Sequence, residues 1–269
     1  MRLVFIGDVF GRSGREALEK YLPDIKKSYT PDVIIVNGEN ASHGRGITAK
    51  IANQFFEWGA DCITTGNHIW DQREIISYID KTPALLRPLN FSPGTPGNGI
   101  WESQLPDGRK FVVINAMGRH GMELSDDPFQ TIDKALQTYR LGQNCQMIFI
   151  DFHAEATSEK ACIGHYLDGH VTAVIGTHTH IPTSDYRILS GGTAFQTDAG
   201  MTGCYDSVIG IRKSAAIGRF LKKVPGEKFN PADGEACLCG VLIDTDDKSG
   251  HAKEIHPIRL GGHLTQARP

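Results

Sequence analysis

The stretch DVIIVNGEN, residues 32–40, joins an apolar strand to polar side chains of the kind that bind ligands. Residues 32–37 form an almost continuously apolar run, which is typical of a strand covered on both faces of its sheet. Glu39 and Asn40 follow directly after this run. The same arrangement recurs along the chain, and it predicts an α/β fold whose chemistry lies just beyond the strand ends.

Short apolar strands alternate with helical segments throughout the first half of the chain. The predicted strands are residues 2–7, 32–37 and 61–65. A capping-box pattern at Ser13 and Glu16 predicts a helix that runs to about residue 27, and a second helix is predicted over residues 48–58. Asp71 and Glu74 are expected to cap the next helix. This alternation predicts a largely parallel sheet with right-handed crossovers.

The second half begins with a loop rich in proline and glycine, residues 87–99, and then reads as mixed structure. A hairpin is predicted over 100–115, around the turn sequence PDG. The remaining predicted strands are 146–151, 171–175, 187–189, 194–197, 236–244 and 252–258, with helices at 128–141, from 158, and at 214–222. No linker is apparent, so residues 1–269 are predicted to form a single domain, an α/β sandwich with two sheets between helix layers.

Composition excludes several classes of protein. The chain has 269 residues, 40% of them hydrophobic, and a net charge of −3, which disfavours extensive disorder and a broad basic surface for nucleic acid. No signal-peptide core and no apolar run of the ~20 residues that a membrane helix needs are visible, so we expect no membrane association. Six cysteines without a disulfide rhythm predict reduced thiols in a cytoplasmic protein. Cys237 and Cys239 could bind a soft metal, although two small packed residues are the commoner case.

Residues of ligand type follow the carboxyl ends of five predicted strands. They are Asp8 at the end of strand 2–7, Glu39 and Asn40 after strand 32–37, Asn67 and His68 after strand 61–65, Asp151 and His153 at the end of strand 146–151, and His178 and His180 after strand 171–175. The carboxyl ends of parallel strands share one edge of a sheet, which is where ligands bind in open α/β folds. We therefore expect these side chains to converge.

This collection is too large for one closed zinc site, which takes four ligands. Without His68 and Asp151, the set has three imidazoles, two carboxylates and two carboxamides, which suit two metal ions that share a bridging carboxylate. His178 and His180 are two residues apart, so on extended backbone they point to the same side and can serve one metal each. Glu39 can bridge the two ions through its two oxygens.

Single residues of this set also have simpler interpretations. Asp8 alone would be read as a helix cap or turn residue, and Asn67 alone as a turn residue. Arg45 and Arg119 could contact a phosphate, yet solvated surface arginines are more common. The joint occurrence of ligand types at five strand ends favours the metal interpretation.

The residues that follow the strands resemble the motifs of the calcineurin-like metallophosphoesterases. Asp8, residues 66–68 (GNH) and residues 177–180 (THTH) are similar to three of those motifs. The sequence departs from the usual pattern in two places. Asp8 is followed by Val9 and Phe10, so the Asp-x-His of the first motif is incomplete, and Glu39 with Asn40 replaces the bridging aspartate. These departures resemble one branch, the YmdB-like 2′,3′-cyclic-nucleotide phosphodiesterases. Further similar stretches are residues 94–97, 126–129, 153–160, 198–203 and 206–210.

The resemblance implies a four-layer α-β-β-α sandwich and two divalent metal ions per chain, iron in the first place and manganese as the alternative. The implied ligands of the first metal are Asp8, Glu39, Asn40 and His180. The implied ligands of the second metal are Glu39, Asn67, His153 and His178. The resemblance further implies that His68 is the proton donor, that the protein is a homo-oligomer, and that its role concerns RNA or cyclic-nucleotide turnover.

The expected activity is therefore that of a dinuclear-metal phosphodiesterase. Two metal ions acidify a shared water, and the resulting hydroxide attacks a 2′,3′-cyclic nucleotide, other phosphodiesters or an RNA end. His68 can protonate the leaving oxygen. Two alternatives stay open: a phosphomonoesterase or nucleotidase on the same centre, and a regulatory protein that senses a nucleotide without turnover.

Overall fold

The computed structural model describes residues 1–222 and 226–269. Its strands are β1 Arg2–Ile6, β2 Val33–Asn37, β3 Cys62–Thr64, β4 Ile100–Gln104, β5 Lys110–Met117, β6 Met147–His153, β7 Ala173–Thr177, β8 Arg187–Ile188, β9 Ala194–Gln196, β10 Gly203–Cys204, β11 Ala236–Thr245 and β12 Ala252–Leu260. Its helices are α1 Gly11–Tyr29, α2 Ala49–Trp58, α3 Ile75–Ile79, α4 Pro128–Leu136, α5 Thr157–Tyr166 and α6 Lys213–Leu221. Within these described residues, no helix is both long and apolar enough to cross a membrane.

The strands form two six-stranded mixed sheets, as the sequence predicts. The first has the order β10-β11-β1-β2-β3, with β12 also paired to β11. In it β1, β2 and β3 are parallel and β11 is antiparallel to β1. The second has the order β4-β5-β6-β7-β9-β8, with a parallel centre and antiparallel edge strands.

Alternate residues of β1 show how the layers stack. Val4 and Ile6 pack in the core between the first sheet and helices α1 and α2. Leu3 and Phe5 face the opposite way, into the core between the two sheets, where the ring of Phe5 lies 5.0 Å from that of Phe149 in β6. Both faces of the strand are therefore buried, which explains its continuous apolar run.

The second sheet is covered in the same way on its outer face. Ile132 of α4 and Ile163 of α5 pack against Val112 and Ile148 of β5 and β6. Three apolar cores thus separate four layers, helices, sheet, sheet and helices. The predicted four-layer α-β-β-α sandwich is confirmed.

Helix α2 begins and ends as its sequence predicts. The Thr48 side chain accepts a hydrogen bond from the backbone N–H of Ile51, and Gly59 adopts a left-handed φ of 108° just past the last turn. Both features are local, because a hydroxyl cap and a glycine stop need no distant partner.

The predicted capping box at the start of α1 is wrong. The helix begins at Gly11, two residues before Ser13, and Phe10 occupies the cap position without a side-chain hydrogen bond. A tertiary contact satisfies this end instead, since the Gly11 N–H donates to the carbonyl of Asn40 at 2.9 Å. The helix start is thereby tied to a residue of the candidate site.

The predicted caps of α3 are also wrong. Glu74 stands at the cap position, but its carboxylate accepts from the backbone N–H of Ala49 at 3.0 Å. Asp71 lies 3.1 Å from the imidazole of His68. Both acidic side chains serve neighbouring segments, and the helix is only one turn and a half long, residues 75–79.

Candidate active site

The five strand ends with ligand-type residues lie in two facing sheets rather than at one sheet edge. Strands β1, β2 and β3 belong to the first sheet, and β6 and β7 belong to the second. Asp151 of β6 connects them, because its carboxylate accepts hydrogen bonds from Asn37 of β2, at 2.8 Å, and from the hydroxyl of Thr64 of β3. The convergence that the sequence predicts therefore occurs across the sandwich.

Side chains from both sheets meet at these strand ends. The Nε2 atom of His153 lies 3.6 Å from Glu39 Oε1 and 3.1 Å from His178 Nδ1. On the other side, His180 Nε2 lies 3.1 Å from Asn40 Oδ1. Five of the predicted ligands thus form two sets of contacts, His153 with Glu39 and His178, and His180 with Asn40.

Each of the three imidazoles has one nitrogen facing the site and the other engaged by a separate acceptor. The engaged pairs are His153 Nδ1 with Thr177 Oγ1 at 2.9 Å, His180 Nδ1 with the Ile209 carbonyl at 2.9 Å, and His178 Nε2 with Glu155 Oε2 at 3.2 Å. A carbonyl and a carboxylate only accept, so these outer nitrogens carry the protons. The facing nitrogens of the neutral rings then present lone pairs, as metal ligands must.

A further contact shows that the Thr177 hydroxyl is the acceptor in its hydrogen bond with His153. The Thr177 hydroxyl donates its proton to Asp151 Oδ1 at 2.7 Å, so its oxygen accepts from His153 Nδ1. Burial lowers the pKa of His153 well below its usual value, which keeps the ring neutral. Asp151 thereby sets the orientation of His153 through Thr177.

Burial keeps the other two imidazoles neutral as well. Burial lowers the pKa of His178 to about 4, and the neighbouring His180 contributes to this shift. Burial also lowers the pKa of His180. Among residues 1–222 and 226–269, no three His, Cys, Asp or Glu side chains already form a ready-made metal-binding group. Instead the facing nitrogens of His153 and His178 contact each other, and two facing lone pairs repel unless a cation lies between them.

Two buried oxygens of the site lack any hydrogen-bond partner within the described residues. They are Oδ1 of Asp8 and Oδ1 of Asn67. A buried polar atom without a partner is costly, and a cation would satisfy both of these acceptors. Burial, followed by repulsion from Asp198, raises the pKa of Asp8 to about 7. The donor set of hard oxygens and neutral imidazoles therefore fits divalent metal ions.

Glu39 lies beside the His153 ring, and its carboxylate is held by backbone donors. Its two carboxylate oxygens accept from the backbone N–H groups of Gly66 and His68, which follow β3. Each oxygen retains a lone pair for a cation. Burial raises the pKa of Glu39 well above its usual value, and adjacent cations would reverse that effect by favouring the carboxylate.

His68 lies beside this group and is half-buried. Its Nδ1 atom lies 3.1 Å from Asp71 Oδ2, which orients the ring. Burial lowers the pKa of His68, and the nearby charge of Asp71 opposes that effect. The two arginines that could contact a phosphate are Arg45 and Arg119. Arg119 forms an ion pair with Asp127 at 3.1 Å, as expected of a surface residue. The positive charge of Arg45 further lowers the pKa of His68.

Four groups orient the three imidazoles, and this supporting role of theirs was not predicted from the sequence. They are Asp151, Thr177, Glu155 and the carbonyl of Ile209. Asp151 carried a usable signal, because it stands two residues before His153 on a strand and therefore on the same face. The carbonyl of Ile209 carries none, since every residue has one.

Gly66 leaves the space that the His153 ring occupies. A Cβ atom at this position would overlap the Nε2 and Cδ2 atoms of His153. We expect Gly66→Ala to displace this nitrogen and to weaken manganese binding by about 10–100-fold, the usual effect of disturbing a ligand's support. Overpacking should also cost about 1–3 kcal/mol of stability. Calorimetric titration with manganese and thermal melting measure the two effects.

Gly218→Ala in α6 is the matched control, because no described atom lies within 4 Å of the added methyl group. It should bind manganese like the wild type. Equal affinities for the two alanine variants would show that His153 Nε2 does not face a metal.

The fold and the strand-end carboxylates, amides and imidazoles define a metallophosphoesterase-like protein, a class that suggests divalent metal ions. Residues 4–258 match the model of the family described as YmdB-like protein, and the chain belongs to this family. The family resemblance predicted from the motifs is confirmed.

Relatives of known structure or activity agree with this assignment. The chain is 47% identical to the 2′,3′-cyclic-nucleotide 2′-phosphodiesterase of Bacillus subtilis (strain 168), over 97% of each chain. A hypothetical protein from Thermus thermophilus has a TM-score of 0.90 at 38% identity, covering 98% of this chain and 100% of its own. A novel phosphatase from Mycoplasma pneumoniae has a TM-score of 0.89 at 32% identity, covering 97% and 93%.

Proposed function

We propose that the protein is a dinuclear-metal phosphodiesterase that hydrolyses 2′,3′-cyclic nucleotides, and that residues 1–269 form one domain around this site. One observation carries the proposal: three imidazole lone pairs lie at the same strand ends as Asp8 Oδ1 and Asn67 Oδ1, two buried oxygens without a hydrogen-bond partner in the described part of the chain. The name of the Bacillus subtilis relative supports the substrate class.

Two divalent cations, iron or alternatively manganese, would be held by two groups of these ligands. The first would take Asp8, Glu39, Asn40 and His180. The second would take Glu39, Asn67, His153 and His178. The contacts of His180 with Asn40, and of His153 with Glu39 and His178, support this division. Nitrogen and oxygen donors of this kind suit both metals.

When bound, such ions supply positive charge for the phosphate oxygens and lower the pKa of a bound water. His68 would act at the leaving oxygen. With Nδ1 held by Asp71, the other ring nitrogen, Nε2, is the atom that can give a proton to O2′ of the ribose. The bond from phosphorus to O2′ breaks, a water oxygen joins phosphorus, and a 3′-phosphate with a free 2′-hydroxyl results.

We expect 2′,3′-cyclic AMP to be hydrolysed faster than 3′,5′-cyclic AMP, and 3′-AMP to dominate the product. If one imidazole protonates the leaving oxygen from a fixed position, only one of the two ring oxygens can be aligned to leave. Chromatography against authentic 2′-AMP and 3′-AMP measures the ratio. An equal mixture would mean that the pocket does not fix the ring, and 2′-AMP alone would contradict the place of His68.

A phosphomonoesterase is the second candidate, because the Mycoplasma pneumoniae neighbour is described as a phosphatase. Hydrolysis of bis-p-nitrophenyl phosphate and p-nitrophenyl phosphate, each with added manganese, separates the two. Cleavage of the diester alone supports the phosphodiesterase, and cleavage of the monoester supports the second candidate. No turnover of either compound or of cyclic nucleotides would leave only a nucleotide-sensing role.

Three further properties are proposals of the same kind. The six unpaired cysteines suit a cytoplasmic protein. RNA ends that carry a cyclic phosphate share the chemistry of the proposed substrate. A homo-oligomer would cover the strongly exposed side chains of Phe220 and Leu221 in α6.

A further inference from the structure

The turn that carries two of the proposed metal ligands has a strained backbone. His178 has a φ of 94° and His180 a φ of 67°, both in the left-handed region that non-glycine residues rarely adopt. Two such residues separated by a single position cost free energy that surrounding contacts must offset. The contacts of the residue between them, Thr179, therefore decide how the two imidazoles are presented.

Thr179 is held by one buried carboxylate. Its backbone N–H and its hydroxyl both donate to Oδ2 of Asp198, at 3.0 and 2.7 Å. The other carboxylate oxygen accepts from the backbone N–H of Gly200 at 2.8 Å, so Asp198 is itself fixed. Asp198 is completely buried and lies beneath the turn rather than in the ligand set.

A buried lysine neutralises this carboxylate. The Lys160 ammonium lies 2.8 Å from Asp198 Oδ2, and both side chains are almost fully excluded from solvent. A Cβ atom at Gly176 of β7 would overlap the Thr197 carbonyl oxygen and lie 3.0 Å from Lys160 Cδ, so the glycine allows the close approach of both. A buried ion pair contributes little net stability compared with apolar packing. The Asp198 oxygen that Lys160 contacts also accepts both hydrogen bonds from Thr179, so the pair is joined to the turn that carries His178 and His180.

We infer that Asp198, paired with Lys160, is a positioning residue that clamps Thr179 and so aims the facing nitrogens of His178 and His180 at the two cations. This inference rests on the proposed function, because it requires that those nitrogens bind metal. Asp198 and Lys160 act through Thr179 and do not touch the substrate.

Thr179→Val tests the clamp without leaving a buried charge unpaired. The variant loses the hydroxyl bond to Asp198 but keeps the side-chain volume and the backbone bond. We expect manganese affinity, measured by calorimetric titration of the metal-free protein, to fall about 10–100-fold, as for other groups that support ligands. Thr179→Ser keeps the hydroxyl and should restore wild-type affinity.

Thr183→Val is the matched control. The Thr183 hydroxyl also contacts Asp198, but only its backbone: it accepts from the N–H at 3.0 Å and donates to the carbonyl oxygen at 3.3 Å. It should lower the melting temperature about as much as Thr179→Val while leaving manganese affinity unchanged. The double variant Lys160→Met with Asp198→Leu removes both buried charges together with the oxygen that accepts from Thr179, and it should also weaken manganese binding at least about 10-fold.

The outcomes separate the two proposals. Wild-type manganese affinity in both Thr179→Val and the double variant would overturn the clamp and leave the metal centre standing. A wild-type protein that binds no manganese or iron would overturn the proposed function, and the clamp with it.

Discussion

Replacing Glu39 with alanine is expected to remove both metal ions and nearly all phosphodiesterase activity. Glu39 lies against His153 on one side, and its two oxygens hold the backbone of the loop after β3. If it bridges the ions, its loss takes one ligand from each, which should weaken binding by more than the ~100-fold that loss of a supporting group costs. Elemental analysis after gel filtration and hydrolysis of bis-p-nitrophenyl phosphate measure the two effects.

Two comparisons make this result specific. Glu57→Ala removes an exposed carboxylate from α2 and should keep both metals and full activity. His178→Ala and His180→Ala should each lose chiefly one metal, since their facing nitrogens lie in different groups. If Glu39→Ala keeps one metal at full occupancy, Glu39 is a ligand of a single ion and the bridge is wrong.

Replacing His68 with alanine is expected to leave metal content near normal and to slow turnover of 2′,3′-cyclic AMP by about 10²–10⁴-fold, the usual value of general acid catalysis. The imidazole of His68 contacts Asp71. Its contribution to metal binding is the backbone N–H that holds Glu39, and alanine retains that group. The variant therefore removes the proposed proton donor without removing a ligand.

The size of this loss should depend on the leaving group. The p-nitrophenolate ion leaves without protonation, so His68→Ala should retain much more of its activity on bis-p-nitrophenyl phosphate than on a cyclic nucleotide. His43→Ala, an exposed histidine of the neighbouring loop, should be unaffected on both substrates. An equal loss on good and poor leaving groups would show that His68 positions the substrate or binds metal.

Sequence patterns predicted the parts of this protein that depend on local periodicity. The apolar run in β2 is continuous because both of its faces are buried, and the polar residues after it mark the end of the strand. The same local signal located Asp8, Asn67, His153 and the two histidines after β7. The structure places all of these at the strand ends, where they were expected.

Contacts between distant segments could not be predicted in this way. The capping box at Ser13 failed because the carbonyl of Asn40 satisfies the first N–H of the helix instead. Lys160 and Asp198 are 38 positions apart and belong to segments that only the fold brings together. A side chain that supports a ligand leaves no spacing pattern, and for this reason the second layer of the site emerged only from the structure.

The metal content of the reconstituted wild-type protein tests the central claim most directly. The protein would be stripped with a chelator, reloaded anaerobically with iron(II) and separately with manganese(II), freed of excess metal by gel filtration, and analysed for metal and protein in the same fractions. The two groups of ligands predict two metal ions per chain with at least one of these metals. One ion per chain at saturation, or none, would contradict the dinuclear site.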